Sequence, residues 1–396
     1  MRVAFISQEG DLGIYRHIKG LLRELSKHSI ETKEFFINES NIKSVVDEFV
    51  SFQPMFSLDI NGTGILISEQ EGKKSILSDA LGFVHISLFF DDPIFYAPSL
   101  YSIKDANNFI YFLTDIKYSQ SLSYMGFNRG VLYMAPFVDG SMMPEVSQKD
   151  IPFVFLGPVA DPELILKEIE PQIPKEFLPF AYELSEYLFR NPEALILSAK
   201  DYVLSLFHID FQEQYSNWAK ENSLEEIGLL AKIATLATAK KRWYILSFLE
   251  GMELKVLGPY KGELKEGHEH IDIKNWQDAL EVLSRTRLCM ISFPHAVPTG
   301  IGFTPLEVAY LGCAPMLDFR MTLPGFFTPG EDVITYLPLD RADIEEKLVF
   351  YLENPQEAEK IGQNARKTVE KNFTPSDRAE FMARVMNDIF SQAQKA

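Results

Sequence analysis

Short apolar runs alternate with amphipathic stretches through the first third of the chain. Residues 2–7 form an apolar run that predicts a strand, and residues 14–27 place Ile18, Leu21, Leu22 and Leu25 on one face of a predicted helix. The same alternation predicts strands at 31–36, 56–60, 84–90, 109–113 and 131–134, and helices at 42–52, at 74–81 and up to Met125. Strands followed by helices at this spacing are typical of a parallel, doubly wound sheet.

The second half of the chain repeats this alternation after a long interruption. Residues 136–150 are rich in turn formers and open a second domain, whose first strand is predicted at 152–156. Between about 162 and 250 no strand pattern occurs, and long amphipathic stretches predict a helical insertion. Further elements are predicted as strands at 254–257 and 270–273, and as helices at 276–284, 344–352 and 375–392. The sequence therefore predicts two α/β domains, 1–145 and 146–374, with 375–396 as a terminal helix.

One stretch, residues 287–319, combines several signals of an anion site. It predicts a strand at 288–293, a loop rich in Pro and Gly, a helix at about 305–311 and a strand at 314–319. Pro305 suits the first turn of this helix, and Gly312 suits the position just past its end. Backbone N–H groups at the helix start, preceded by Gly300 and Gly302, favour a bound phosphate.

Glu307 lies one turn inside this predicted helix. A carboxylate there can accept hydrogen bonds from the ribose hydroxyls of a nucleotide whose phosphates lie at the helix start. An ordinary strand-to-helix connection, with Glu307 in solvent, explains the local pattern equally well. The stretch alone leaves both interpretations open.

Composition narrows the class of protein. A chain of 396 residues is too long for one ordinary core, so two domains are expected. No run of about 18 uncharged apolar residues occurs, and the first residues lack the pattern of a signal peptide, so we expect a cytoplasmic protein without a transmembrane segment. A formal net charge of -18 argues against nonspecific binding to nucleic acid or to an anionic membrane. Cys289 and Cys313 lie in apolar segments and are expected to be buried thiols.

Ligands of doubly wound sheets bind beyond the carboxyl ends of the strands, and polar or glycine residues follow several predicted strands. In the first domain these candidates are Gly10, Asp11, Gly13, Asn61 and Asp115. In the second domain Gly157 and Gly258 take the same position. The glycines near Gly10 lack the full dinucleotide fingerprint, and Asn61 taken alone is a turn residue, so each also has a purely structural explanation.

Asp91 and Asp92 follow a very apolar predicted strand and precede a proline. A carboxylate at such a strand tip can act as a general base or bind a sugar hydroxyl. Capping of the next segment explains the pair equally well.

A basic triplet, Lys240 to Arg242, precedes a predicted helix that leads toward Gly258. Arg242 is the candidate for contacting a diphosphate, although most such triplets are solvated surfaces. His295 lies in the predicted phosphate loop and could touch a ligand. His268 and His270 have no matching Cys or carboxylate spacing, so no protein-bound metal and no cofactor is predicted.

Three runs together resemble a known family. They are FSLDING…LGFVHISLFFDDP, IYFLTDIKYSQSLSYMGFNRGVLYMAPFVDG and GIGFTPLEVAYLGCAPMLDF, and they occur in the order expected for bacterial group 1 glycosyltransferases of the spore-maturation CgeB-like type. This resemblance implies a GT-B fold, in which two Rossmann-like domains face each other across a cleft. It also implies that the C-terminal domain holds a nucleotide sugar and that the last helix crosses back to the first domain.

Residue by residue, the resemblance assigns Glu307 to the ribose and the turn Gly300, Ile301, Gly302, Phe303 and Thr304 to the diphosphate. It assigns Asn61 and Asp91 to the polar strand tips of the acceptor domain. Two positions depart from the family: relatives often have an arginine where this chain has Thr304, and many have a second glutamate where it has Thr299.

The resemblance implies a hexosyltransferase-like enzyme. It would move a sugar from a nucleoside diphosphate to a cytosolic acceptor, such as a surface or flagellar protein or a glycan precursor. The one acidic pair suited to a divalent ion, Asp91 and Asp92, is expected on the first domain rather than beside the phosphate loop, so we predict transfer without a metal. The β-phosphate would be stabilised by N–H groups near Phe303 with Arg242 or Lys241. The two departures keep a noncatalytic binding or scaffold protein as an alternative, and a nucleotide-sugar epimerase as a weaker one. The base, the sugar, the stereochemistry and the oligomeric state are left open.

Overall fold

The structure is a computed structural model that describes residues 1–8, 13–70, 73–104 and 106–393. It divides into two compact units. Unit 1 comprises Met1–Met142 together with Asn372–Ala396, and unit 2 comprises Met143–Lys371.

Unit 1 is built around a parallel sheet whose strand order is β2-β1-β3-β6-β7-β8. Its strands are β1 (Arg2–Gln8), β2 (Glu31–Ile37), β3 (Phe56–Ile60), β6 (Val84–Phe89), β7 (Phe109–Leu113) and β8 (Val131–Tyr133), and a separate antiparallel pair is formed by β4 (Ile67–Gln70) and β5 (Lys73–Ile76). Its helices are α1 (Tyr15–Lys27), α2 (Ile42–Phe52), α3 (Leu77–Leu81), α4 (Ala97–Tyr101), α5 (Tyr118–Tyr124) and α15 (Pro375–Ala393).

Unit 2 is built around a second parallel sheet, with strand order β13-β11-β9-β14-β15-β16. Its strands are β9 (Ile151–Leu156), β10 (Val159–Ala160), β11 (Leu254–Leu257), β12 (Tyr260–Lys261), β13 (His268–Ile271), β14 (Thr286–Ile291), β15 (Ala314–Asp318) and β16 (Ile334–Tyr336). Its helices are α6 (Pro162–Ile169), α7 (Leu178–Arg190), α8 (Ile196–Ser205), α9 (Ile209–Glu221), α10 (Ser223–Phe248), α11 (Trp276–Ser284), α12 (Thr304–Tyr310), α13 (Arg341–Glu353) and α14 (Pro355–Asn372).

Each sheet is buried because its strands are apolar almost throughout. β3 and β15 are buried at every position, as expected for central strands of a parallel sheet with helices on both faces. In unit 2 Ile245 and Leu246 near the end of α10, and Leu249 just after it, belong to a core that also contains residues of β9, β14 and β15. This packing brings α10 against the sheet and determines where its polar residues lie.

Most predicted elements are confirmed within a residue or two, including α11 at its predicted bounds. The strand predicted at 270–273 begins two residues earlier. The helix predicted at 74–81 is wrong in its first half, because β5 ends at Ile76 and only α3 is helical. The helix α14 was missed: three of its five buried residues are Ala or Gly, so it offers few large apolar side chains from which to recognise it.

The last helix belongs to the same compact unit as the first strands. α15 packs against α1, and the rings of Phe381 and Phe112 meet edge to face with centroids 5.9 Å apart. Both cysteines are buried free thiols, as predicted. No helix in the described part of the chain has the length and apolar character needed to cross a bilayer.

Candidate functional site

In the sheet of unit 2 the chain adds strands to one side from β9 through β11 to β13, and then to the other side from β14 through β15 to β16. Ligands of doubly wound sheets bind beyond the carboxyl ends of the strands at such a switch point, here between β9 and β14. Gly157 follows β9 and Gly258 follows β11, with φ of 134° and 129°. A Cβ at Gly157 would lie 3.3 Å from the Arg242 guanidinium carbon, and one at Gly258 would lie 3.0 Å from the Gly157 carbonyl oxygen. Both glycines therefore allow backbone and Arg242 to pack closely at this rim.

Arg242 is buried at the same strand ends. Its Nε and Nη2 donate to the carbonyl oxygen of Ser292 at 3.0 and 2.7 Å, and its Nη1 donates to Pro158 at 2.8 Å. Burial lowers the pKa of its guanidinium to about 10. The residue joins the segments that follow β14 and β9, so the alternative of a solvated surface is wrong for Arg242. The triplet also lies inside α10 rather than before a helix.

Lys241 is fully buried beside Arg242. Its Nζ donates to the carbonyl oxygen of Phe293 at 2.7 Å and to Oδ2 of Asp318 at 2.5 Å. Burial lowers the pKa of Lys241 to about 8, although the charge of Asp318 opposes this shift. Asp318 is the last residue of β15, so this ion pair also lies at the carboxyl ends of the strands.

Arg320 is a third buried cation, and it holds the loop between β14 and α12. Its Nη1 donates to the carbonyl oxygens of Val297 and Gly300, and its guanidinium lies 4.0 Å from the Phe293 ring centroid. The hydroxyl of Thr322 donates to the carbonyl of Thr299 in the same loop. The buried groups here, Lys241, Arg242 and Arg320 with Asp318, carry an excess of positive charge.

The loop reaches α12 through Gly302, whose φ of 62° is left-handed. Phe303 is the buried residue before α12, and Thr304 begins the helix with Pro305 in its first turn, as predicted. Thr304, at which relatives often have an arginine, is partly exposed. The loop is thus shaped by backbone geometry and by the buried cations behind it.

Glu307 lies on the first turn of α12 and is 3% exposed, so a solvated side chain is excluded. Both of its carboxylate oxygens accept from the indole N–H of Trp276, each at 3.0 Å. Trp276 is the first residue of α11, the helix that packs beside α12. Nothing in the sequence analysis connected these two residues.

His295 is buried inside unit 2. Its Nε2 lies 3.0 Å from the carbonyl oxygen of Leu188, and its Nδ1 lies 3.1 Å from the hydroxyl of Thr238. Burial lowers its pKa to about 3, and the nearby charge of Lys241 lowers it further. A neutral ring with both nitrogens bonded to protein connects the loop to the helices α7 and α10, and a ligand contact would require those bonds to break.

In unit 1 the tips of β3 and β6 share a chain of hydrogen bonds. Asn61 has a left-handed φ of 53°, and its Oδ1 accepts from the backbone N–H of Phe90 at 2.9 Å. Its Nδ2 donates to the hydroxyl of Tyr96 at 2.8 Å, and this hydroxyl donates to Oδ2 of Asp91 at 2.9 Å. Burial raises the pKa of Asp91, and the bonds from Tyr96 and Asn61 oppose that shift.

Asp92 and Asp115 follow β6 and β7 at the same edge of the sheet, and both accept hydrogen bonds from backbone N–H groups. Asp92 is buried and its Oδ1 accepts from the backbone N–H of Ile94 at 3.0 Å, so the capping alternative holds for this residue. Burial raises its pKa to about 7, with the charges of Asp115 and Asp91 acting in the same direction. Asp115 Oδ1 accepts from the N–H of Lys117 at 2.9 Å. Asp91 is only partly buried and is the more accessible carboxylate.

A buried polar group that the sequence analysis missed supports the Asn61 turn. Asp59 accepts from the backbone N–H groups of Gly62 and Gly64 at 3.2 and 2.8 Å, and lies 3.3 Å from Nε2 of His85. The other ring nitrogen of His85 is 2.6 Å from the hydroxyl of Ser57. These groups fix the chain as it leaves β3.

The remaining candidates fall into two groups. Gly10 and Asp11 lie outside the described residues, whereas the carbonyl of Gly13 accepts from Arg16 Nε at 2.8 Å. His268 and His270 each bond a backbone carbonyl through Nε2. Across the ranges that the structure describes, no group of three or more His, Cys, Asp or Glu residues is arranged to hold a metal.

A sequence signal was present for one of the residues missed in unit 2. Asp318 ends an apolar strand, the same signal that had selected Asp91 and Asp115. Arg320 and Trp276 carry no such signal, because their partners are separated from them by 20 or more residues.

Residues 238–384 match the family model described as Glycosyl transferase-like. This range contains α12, Glu307 and the buried cations. Over 98% of this chain and 100% of the other, the fold matches Anabaena HepE in complex with UDP and glucose, with a TM-score of 0.50 and 11% identity. It also matches sucrose-phosphate synthase from Thermosynechococcus elongatus, over 99% and 100% of the chains, with a TM-score of 0.54 and 10% identity. The chain has a GT-B fold, and its residues 238–384 are similar to the glycosyl transferase-like family.

At these identities the two solved structures show the fold alone, which is the predicted one. The chain also has a full-length relative, an uncharacterized protein of Aquifex aeolicus, with 39% identity over 100% of this chain and 98% of that protein. The two proteins belong to one family.

Proposed function

We propose that this protein transfers a sugar from a nucleoside diphosphate to a cytosolic acceptor, as a member of the CgeB-like type. The observation that carries this proposal is a buried carboxylate, Glu307, on the first turn of α12, behind a loop whose carbonyls are held by Arg320. A carboxylate in this position is suited to ribose hydroxyls, and the loop and helix start are suited to a diphosphate. The match to the glycosyl transferase-like model includes all of these residues.

The charge that develops on the departing diphosphate needs a stabilising partner. In this proposal the N–H groups at the start of α12 act directly, and the buried cations Lys241, Arg242 and Arg320 contribute a positive field from behind the loop. Arg242 and Lys241 act through the loop, because both already bond backbone carbonyls. No bound metal takes part in this scheme.

Asp91 of unit 1 is the proposed general base toward the acceptor hydroxyl. It is partly accessible, its pKa is raised, and Tyr96 orients its carboxylate. A base whose pKa is raised accepts a proton more readily than an ordinary aspartate. Asp92 remains a second candidate, since its pKa of about 7 suits the task although its burial does not.

Titration of the full chain with UDP, GDP and ADP tests the donor half of this proposal. UDP is included because UDP is bound in the HepE structure. Glu307→Gln keeps the shape of the side chain but weakens a charge-assisted hydrogen bond, so we expect the affinity for the tightest nucleotide to fall roughly tenfold. Equal affinities would remove Glu307 from the nucleotide site.

A noncatalytic binding protein is the second candidate. It is favoured by Arg242, whose guanidinium is bonded to the carbonyls of Ser292 and Pro158 rather than left for a diphosphate. Such a protein would bind a nucleotide without turning over its sugar form. Incubation with the sugar derivative of the tightest nucleotide, with release of nucleoside diphosphate as readout, distinguishes the two candidates.

A further inference from the structure

The indole of Trp276 covers one particular face of Glu307. Its Nε1 lies 3.0 Å from Oε1 and 3.0 Å from Oε2. Equal distances with hydrogen-bond angles place this nitrogen in front of the carboxylate, midway between its oxygens. A vicinal diol that gives one hydroxyl to each carboxylate oxygen must occupy the same face. The indole N–H and a ribose diol therefore compete for it.

The position of Trp276 in the fold allows such an exchange. Glu307 is buried on α12, whereas Trp276 is only partly buried and begins α11 directly after an exposed segment. The helix start does not depend on the indole, because Asn275 Oδ1 caps it by accepting from Asp278 N–H at 3.1 Å. Release of the indole from Glu307 would therefore leave the cap of α11 intact.

Resting on the proposed function, we propose that Trp276 is an exchangeable partner of Glu307 that the ribose diol of a nucleoside diphosphate displaces. In the free protein the indole N–H bonds both oxygens of the buried carboxylate. In the bound protein the two ribose hydroxyl groups replace the indole N–H. A nucleotide without the diol cannot make this replacement, so the exchange selects ribonucleotides.

The test uses the full chain and its Trp276→Phe variant, titrated with the tightest-binding of UDP, GDP and ADP and with the 2′,3′-dideoxy form of that nucleotide. Phenylalanine fills much of the same space but has no N–H to displace. We expect the variant to bind the ribonucleotide roughly tenfold more tightly, since one charge-assisted hydrogen bond no longer has to be broken. The affinity for the dideoxy nucleotide should stay the same.

Fluorescence supplies a second measurement that does not depend on this variant. The chain has three tryptophans, Trp218, Trp243 and Trp276, so a Trp218→Phe and Trp243→Phe double variant reports on Trp276 alone. The ribonucleotide should change the emission of this variant at saturation. The dideoxy nucleotide should leave it unchanged, because the indole stays on Glu307.

Several outcomes would overturn the proposal. An unchanged ratio of the two affinities in Trp276→Phe would show that the indole does not compete with the diol. Weaker ribonucleotide binding in that variant would make Trp276 a support of Glu307 instead. An emission change of equal size with both nucleotides would exclude displacement by the diol. If wild type binds no nucleotide at all, the proposed function fails as well, whereas the other outcomes leave it intact.

Discussion

Breaking the buried ion pair between Lys241 and Asp318 should cost more than breaking any surface pair of this protein. The two side chains are 0% and 2% exposed, and the surrounding buried charges of Arg242 and Arg320 are both positive. In Asp318→Asn the carboxylate is lost while the cations remain. Removing one partner of a buried pair typically costs about 3 to 5 kcal/mol, because the other charge is left uncompensated. We expect a loss of this size in the free energy of unfolding at pH 7.

The cost should fall as the pH rises. The pKa of Lys241 is lowered to about 8 from its ordinary value of 10.5. Between these values the folded chain has released the proton that the unfolded chain still binds, so the wild type gains stability with rising pH. Loss of Asp318 lowers the pKa of Lys241 further, so the variant starts to gain stability at a lower pH. The difference between the two proteins should therefore be smaller at pH 9.5 than at pH 7.

Urea denaturation followed by far-UV circular dichroism measures both effects. The matched control is Asp150→Asn, because Asp150 pairs with Arg285 at the surface, where the side chains are 49% and 53% exposed. Exposed pairs contribute about 0 to 1 kcal/mol. A loss in Asp318→Asn no larger than that of the control, or a loss that grows toward pH 9.5, would refute the reasoning.

Four further predictions concern the proposed activity and the terminal helix. Asp91→Asn should slow transfer by about 10²- to 10⁴-fold with nucleotide affinity unchanged. Tyr96→Phe should move the acidic limb of the kcat/KM profile to higher pH, because the Tyr96 hydrogen bond lowers the pKa of Asp91. An acidic limb at the same pH would show that Tyr96 does not influence the base. Turnover should persist in excess EDTA, and activity that vanishes and then returns with manganese would contradict the metal-independent scheme. Deleting the chain from Pro375 onward should lower the melting temperature, because it exposes the surface of α1 and the ring of Phe112; an unchanged melting temperature would argue against that packing.

The sequence by itself predicted most strands and helices and the two doubly wound sheets. Short apolar runs, turn formers and amphipathic periodicity are local properties, and each element is largely specified by the residues inside it. The start of α12, predicted at about Pro305 and observed at Thr304, followed from the preference of proline for the first turn of a helix. The prediction failed at α14, which has few large apolar residues and whose buried residues include Ala358 and Ala365.

In the candidate site too, local sequence indicated single residues, whereas the contacts between them depend on the tertiary structure. Asn61 and Asp91 were chosen as candidates because each follows an apolar strand, and the carboxyl ends of parallel strands meet at one edge of a sheet. Their connection through Tyr96 depends on how the segment after β6 turns back. That turn is a tertiary property.

Only the tertiary structure decided what the charged residues of unit 2 do. A basic triplet in a helix has the same sequence whether its side chains face water or pack against the ends of the strands in a sheet. The packing of Ile245, Leu246 and Leu249 on the sheet core buries Lys241 and Arg242. The indole that covers Glu307 comes from another helix, 31 residues away in the chain. Such partners meet because helices and strands pack on one another, and contacts made across the fold leave no periodic trace in the sequence.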